Sequence, residues 1–247
     1  MLKKKLIFNV PVIVDPALYQ KPSTLFNIIV SGRGDSVAVN AEKIIATENS
    51  SQCRGAVLKS ALPYFDGMPL VQLLTFAGYR GLSTLNLPIR ALEIAESAGL
   101  PIMIIGGREE IQFDLKKALK DLFPELKLIK LHHGYLDYRE IRELVVDSEA
   151  RVVLLGLGSP KQEIMAQALI GDGFTGFIVP CGGALDVLSG HKRRAPEFIQ
   201  KLGIEAPYRL IQEPRRYRRY IKLIPFSFRL LKAYIQVIVG KEEWSVN

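Results

Sequence analysis

The sequence predicts an α/β protein: a mostly parallel sheet with helices on both faces, followed by a basic, amphipathic helical appendage. Three observations carry this. Short, continuous apolar runs such as Val152-Val153-Leu154-Leu155 alternate with helical patterns along most of the chain, as strands buried on both faces of a parallel sheet require. Three such runs end in glycine turns: Gly106-Gly107, Gly156-Leu157-Gly158 and Gly182-Gly183. After about residue 190 the chain turns basic and aromatic, which separates a core over residues 1–195 from an appendage over residues 196–247.

Taken in order, residues 6–14 read as a first strand ended by Asp15-Pro16, and residues 36–40 as another that ends at Asn40. Residues 41–47 suit a helix. Residues 55–60 read as a strand, with residues 63–69 as the loop after it. Helices follow over 70–79 and 87–98, the second stopped by Gly99. Residues 101–105 form a buried strand. Apolar residues at helical spacing (Ile111, Leu115, Leu119, Leu122) place a helix over 108–123. A strand over 126–131 closes on His132-His133-Gly134-Tyr135, a helix covers 138–147, and a strand runs from 151 to 155. Ser159 and Pro160 suit the cap and first turn of the next helix. A last strand over 174–179 and a short helix over 184–188 complete a Rossmann-like alternation.

Composition narrows the class. The 247 residues are 48% hydrophobic and 23% charged, so the chain folds rather than staying disordered. A net charge of +8 favours an anionic partner. Cys53 and Cys181, far apart, form neither a disulfide framework nor a metal spacing, and His132 and His133 read as loop histidines; no metal site is expected. No apolar run is long enough to span a bilayer. The tail, with Lys222, Arg229 and Lys232 among Ile, Leu and Phe, reads as an amphipathic surface for an anionic membrane, or as a helix packed on the core. Its apolar share is too high for a solvated nucleic-acid-binding arm.

In an open parallel sheet the glycine turns share the edge outside the carboxyl ends of the strands, where ligands bind. Strand, glycine turn and helix N-terminus together receive phosphate or another anion. Pro160, Lys161, Gln162 and Glu163 stand at such a helix mouth. The glycines also have a plain reading as tight turns. Asp66, flanked by Tyr64, Phe65, Gly67 and Met68, is the candidate general base, because apolar surroundings disfavour the charged carboxylate. The competing reading makes Asp66-Gly67 a turn pair.

Gly156-Leu157-Gly158-Ser159-Pro160-Lys161-Gln162-Glu163 and Asp66-Gly67-Met68-Pro69 closely resemble signatures of the WecG/TagA/CpsF family of bacterial glycosyltransferases. Asn40-Ala41-Glu42, Gly106-Gly107, His133-Gly134-Tyr135 and the block from Arg193 to Arg216 follow in the family's order. The resemblance implies inverting, metal-independent transfer from a UDP-sugar (UDP-ManNAc, UDP-ManNAcA, UDP-glucuronate or similar) to a polyprenyl-diphosphate-linked sugar in cell-surface polysaccharide synthesis. It implies no cofactor, a cytoplasmic enzyme peripheral on the inner face of the plasma membrane, and leaves a homo-oligomer open. By the same likeness Asp66 falls on the base, Asn40 and Gln162 on polar residues of the sugar site, and Arg209, Arg216 and Arg219 on arginines that hold the diphosphate. Ala38 stands where relatives carry Thr, and Ala206 where they carry Trp, which bears on donor identity. The competing functions are a dinucleotide oxidoreductase, which Lys161 at the third glycine position disfavours, and a non-catalytic membrane-bound scaffold.

Overall fold

A computed structural model describes residues 2–193, 195–196, 199, 208, 210–211 and 217–239, without the side chains of 218–220. Its centre is a six-stranded, all-parallel sheet in the order β4-β3-β8-β7-β5-β6. The strands are β3 (Gly34–Val39), β4 (Leu62–Phe65), β5 (Ile102–Gly106), β6 (Leu128–His132), β7 (Val152–Gly156) and β8 (Phe177–Pro180). Alternation along them builds two cores. Ile102, Ile104, Val152 and Leu154 pack against α2 (Pro22–Ser31), α6 (Leu87–Ser97) and α7 (Gln112–Leu122). Met103, Ile105, Val153 and Leu155 pack against α8 (Tyr138–Val146) and α9 (Lys161–Gly171). Helices therefore cover both faces, as the apolar runs predict.

A third cluster gathers around Val37 and Val39 of β3. It draws in α3 (Ala41–Asn49), α4 (Ser51–Lys59), α5 (Met68–Phe76) and an antiparallel hairpin of β1 (Lys4–Ile7) and β2 (Val10–Ile13). The hairpin replaces the single strand expected over 6–14. Phe8 and Asn9 take φ of 47° and 59°, the left-handed pair that a two-residue hairpin turn needs. Asn tolerates that conformation, and Phe8 is held in it by burial at the turn.

Residues 55–60 are not a strand. They end α4, whose first turn is capped by Ser50 accepting from the Cys53 amide at 3.1 Å, and whose Cys53, Ala56 and Val57 are buried at helical spacing. The strand lies instead at Leu62–Phe65, reaching into the loop expected over 63–69. Pro63 is tolerated there because β4 is an edge strand with one neighbour. The helix over 108–123 is broken: a 3-10 turn at Glu109–Ile111 precedes α7, and Gln112 donates to the carbonyls of Gly106 and Arg108.

After α1 (Pro16–Gln20) and α10 (Ala184–Leu188), the last described helix is α11 (Tyr217–Ile238). Phe226 and Ala233 are buried in the same cluster as β3. Phe226 meets Phe8 edge-to-face at 4.8 Å, Arg229 pairs with Glu48 of α3 at 2.7 Å, and Tyr234 donates to the Pro69 carbonyl at 2.8 Å. The opposite face leaves Ile221, Ile224, Phe228, Leu231, Ile235 and Ile238 exposed. The tail is thus apolar on two faces, one of them spent on its own core.

Candidate active site at the carboxyl edge of the sheet

Because all six strands run parallel, the turns after them lie on one edge. Neighbouring strands whose following helices take opposite faces leave crevices there. β5 leads toward α7 and β7 toward α9, on opposite faces. β3 leads to α3 and β8 to α10, again on opposite faces. β3 and β8 pair only through Gly34 with Phe177 and Asp35 with Ile178, so their carboxyl-terminal halves are not laddered together.

The first crevice is closed by glycine backbones. A Cβ on Gly106 would lie 2.5 Å from the Gly156 Cα, and the Gly134 amide donates to the Gly107 carbonyl at 2.9 Å. Gly106 and Gly156 therefore permit the close approach of the β5 and β7 ends, with Gly134 packed against the same point, while a Cβ on Gly107 would meet the Ile111 side chain. Gly158, by contrast, has φ of 78°, and a Cβ there would meet no described atom within 4 Å, so this turn is open. Tyr135 is exposed beyond β6. Five strand spacings, about 24 Å, separate β6 from β4, so Tyr135 and Asp66 mark opposite ends of the edge.

The second crevice holds the polar residues. Asn40 follows β3 directly and caps α3: its Oδ1 accepts from the Lys43 amide at 2.9 Å. That bond fixes the orientation of its side-chain amide, and Nδ2 donates to Asp66 Oδ2 at 3.0 Å. Asp66 follows β4 directly, its own amide donating to the Val39 carbonyl at 3.0 Å. Asp66 is exposed, so the apolar residues beside it in sequence do not enclose it. Gly67 beside it adopts φ of 124°.

Across the crevice stands the first turn of α9. Ser159 does not cap it: Pro160 takes the cap position without a side-chain bond, and the Ser159 hydroxyl accepts from Lys43 Nζ at 2.5 Å. Lys43 Nζ also pairs with Glu163 Oε1 at 2.5 Å, with the two side chains 5% and 1% exposed. Gln162, also buried, donates from Nε2 to Glu163 Oε1 at 2.9 Å and accepts at Oε1 from the Gly182 amide at 3.1 Å. Gly183 is exposed next to it. Burial pushes the thiol of Cys181, at the end of β8, up to about 12, which leaves it unreactive near neutrality.

Of the residues singled out from sequence, Asn40, Asp66, Gln162, Glu163 and Gly182 thus join one hydrogen-bonded chain. Lys161 is exposed at the mouth of α9; with Pro160 it also borders an apolar depression of about 420 Å³ on the helix's outer flank, against Tyr138, Ile164, Met165 and Ala168. Arg209 and Arg216, and the side chain of Arg219, lie outside the described residues. Sequence reasoning missed Lys43, since a lysine in a helix's first turn carries no signal for a partner more than a hundred residues away. Among the described residues no three His, Cys, Asp or Glu side chains cluster as metal ligands.

The arrangement offers an exposed carboxylate, an oriented amide and two helix N-termini on one edge. It suits a substrate with a hydroxyl to deprotonate and an anionic group to hold. A model of the Glycosyl transferase WecG/TagA/CpsF family matches residues 10–238, nearly the whole chain; the protein belongs to that family and is a glycosyltransferase.

Proposed function

We propose that the enzyme moves a sugar, with inversion and without a metal ion, from a UDP-sugar to a sugar carried on polyprenyl diphosphate, with Asp66 as the base. The observation that carries this is the Asn40–Asp66 pair facing the same edge as the first turns of α3 and α9. Asp66 takes the proton of the acceptor hydroxyl while that oxygen attacks the anomeric carbon. The bond from that carbon to the UDP oxygen breaks, and UDP leaves with the electron pair. The N-termini of α3 and α9 favour the charge that develops on the diphosphate. Arginines 209, 216 and 219 are the proposed cationic share of that work, on the strength of the resemblance alone.

The lipid-linked acceptor and an anionic membrane surface, the inner face of the plasma membrane, belong to the same reading. α11 carries Lys222, Arg229 and Lys232, has no acidic residue, and exposes an apolar row opposite its docked face. A helix of that kind lies in the interface plane. Among the described residues no helix is long and apolar enough to cross a membrane. The test is UDP release from a panel of UDP-sugars with a short polyprenyl-diphosphate-sugar acceptor, with and without EDTA, and with NMR of the product's anomeric configuration. Acceptor-dependent release that is insensitive to EDTA, with an inverted anomer, is expected. No release with any donor, loss in EDTA, or a retained anomer counts against it.

A further inference from the structure

We propose that Lys43 is a positioning residue of this site, one that sets the distance between the Asp66 side of the crevice and the Gln162 side. The proposal rests on the reading of this edge as the donor site. Lys43 and Glu163 are each the third residue of their helices, α3 and α9, whose first turns meet at the crevice. Two buried charges of opposite sign are held together strongly, because either alone in that interior is uncompensated. Neither helix mouth shifts without breaking the pair.

The pair sits where the sheet does not do this job. β3 and β8 part after Asp35 and Ile178, so no strand ladder holds their ends. The Lys43–Glu163 pair joins α3 to α9 beside that gap, and Gln162 carries the link on to the Gly182 turn after β8. On one side the Lys43 backbone amide donates to Asn40 Oδ1, which aims the Asn40 side-chain amide at Asp66. On the other, Glu163 Oε1 holds the Gln162 amide, which fixes the Gly182 turn. The Ser159 hydroxyl, on the exposed glycine turn, is drawn to the same ammonium. Base, donor turn and β8 turn therefore share one lysine.

Lys43→Met/Glu163→Leu tests this. Removing both charges together leaves neither stranded, so the double variant is expected to fold, which urea unfolding checks. Two readouts follow: UDP affinity by calorimetry, and hydrogen exchange of the Asn40 and Gln162 side-chain amides by NMR. The folded variant should bind UDP about tenfold more weakly or worse. Its Asn40 and Gln162 amide protons should exchange about tenfold faster. A folded variant with unchanged affinity and unchanged exchange overturns the proposal. If that double variant does not fold, Lys43→Gln/Glu163→Gln, which also removes both charges, is read the same way, with the same two outcomes. Wild-type protein that fails to bind UDP overturns the donor reading instead, and amide exchange alone then decides the role of Lys43.

Discussion

Asp35 offers a quantitative check on the packing that supports this edge. It lies in β3, fully buried, and its Oδ1 accepts from the Ala61 amide at 3.3 Å. Burial pushes its carboxyl from 3.8 up to about 6, with polar groups of Gln167, Ala61 and Ser60 pulling partly back and the Lys4 ammonium nearby. The folded state therefore binds this proton more tightly than the unfolded chain does. The associated stability is fully present below pH 3.8 and lost as pH rises through 6. At 1.36 kcal/mol per unit the full effect is about 3 kcal/mol, of which about 1.4 kcal/mol appears between pH 7.5 and pH 5. Asp35→Asn removes the titrating group. Urea unfolding of both proteins at pH 5, 6 and 7.5 isolates its share. The wild type should gain about 1.4 kcal/mol on the variant as pH falls from 7.5 to 5. A stability difference that stays constant across that range would mean that the folded protein does not hold the Asp35 proton.

Further outcomes follow from other contacts. Phe226→Ala removes a buried ring that meets Phe8 at 4.8 Å, and should cost about 3–5 kcal/mol in denaturant unfolding of the whole chain. An unchanged midpoint would mean that α11 is not docked. Gly106→Ala places a methyl 2.5 Å from the Gly156 backbone, and should destabilise by about 1–3 kcal/mol or more in the same assay. Phe228→Glu with Ile235→Glu alters exposed positions only, so thermal unfolding should shift little while co-sedimentation with anionic liposomes falls. Undiminished liposome binding would remove the membrane role from α11.

Much of the fold was legible because parallel strands have a local signature. The runs in β5, β7 and β8 are apolar on both faces, and each is buried throughout or nearly so. Sequence and structure part where long-range position outweighs local preference. Pro63 reads as loop until β4 is known to be an edge strand, and Phe8-Asn9 reads as strand until the hairpin packs under α11. The site was legible in part. Asn40, Asp66 and Gln162 lie at strand ends and helix mouths, which a sequence marks with caps and glycines. The separate duty of Gly106 and Gly156, backbone packing rather than an open cradle, depends on which strands are neighbours. Lys43 and Glu163 meet only after α3 and α9 have been laid side by side. The packed reading of the tail holds for one face of α11, and the opposite face is apolar and exposed. Phe8 and its neighbours are covered by the docked face of that helix.

Single-turnover transfer in Asp66→Asn, measured alongside UDP affinity, decides whether Asp66 acts as the base. The side chain is exposed, so the variant should fold normally and bind UDP as the wild type does. Its rate of transfer should fall by about 10²–10⁴-fold, the usual contribution of a general base. Asp66→Asn protein that transfers sugar at the wild-type rate would contradict the account.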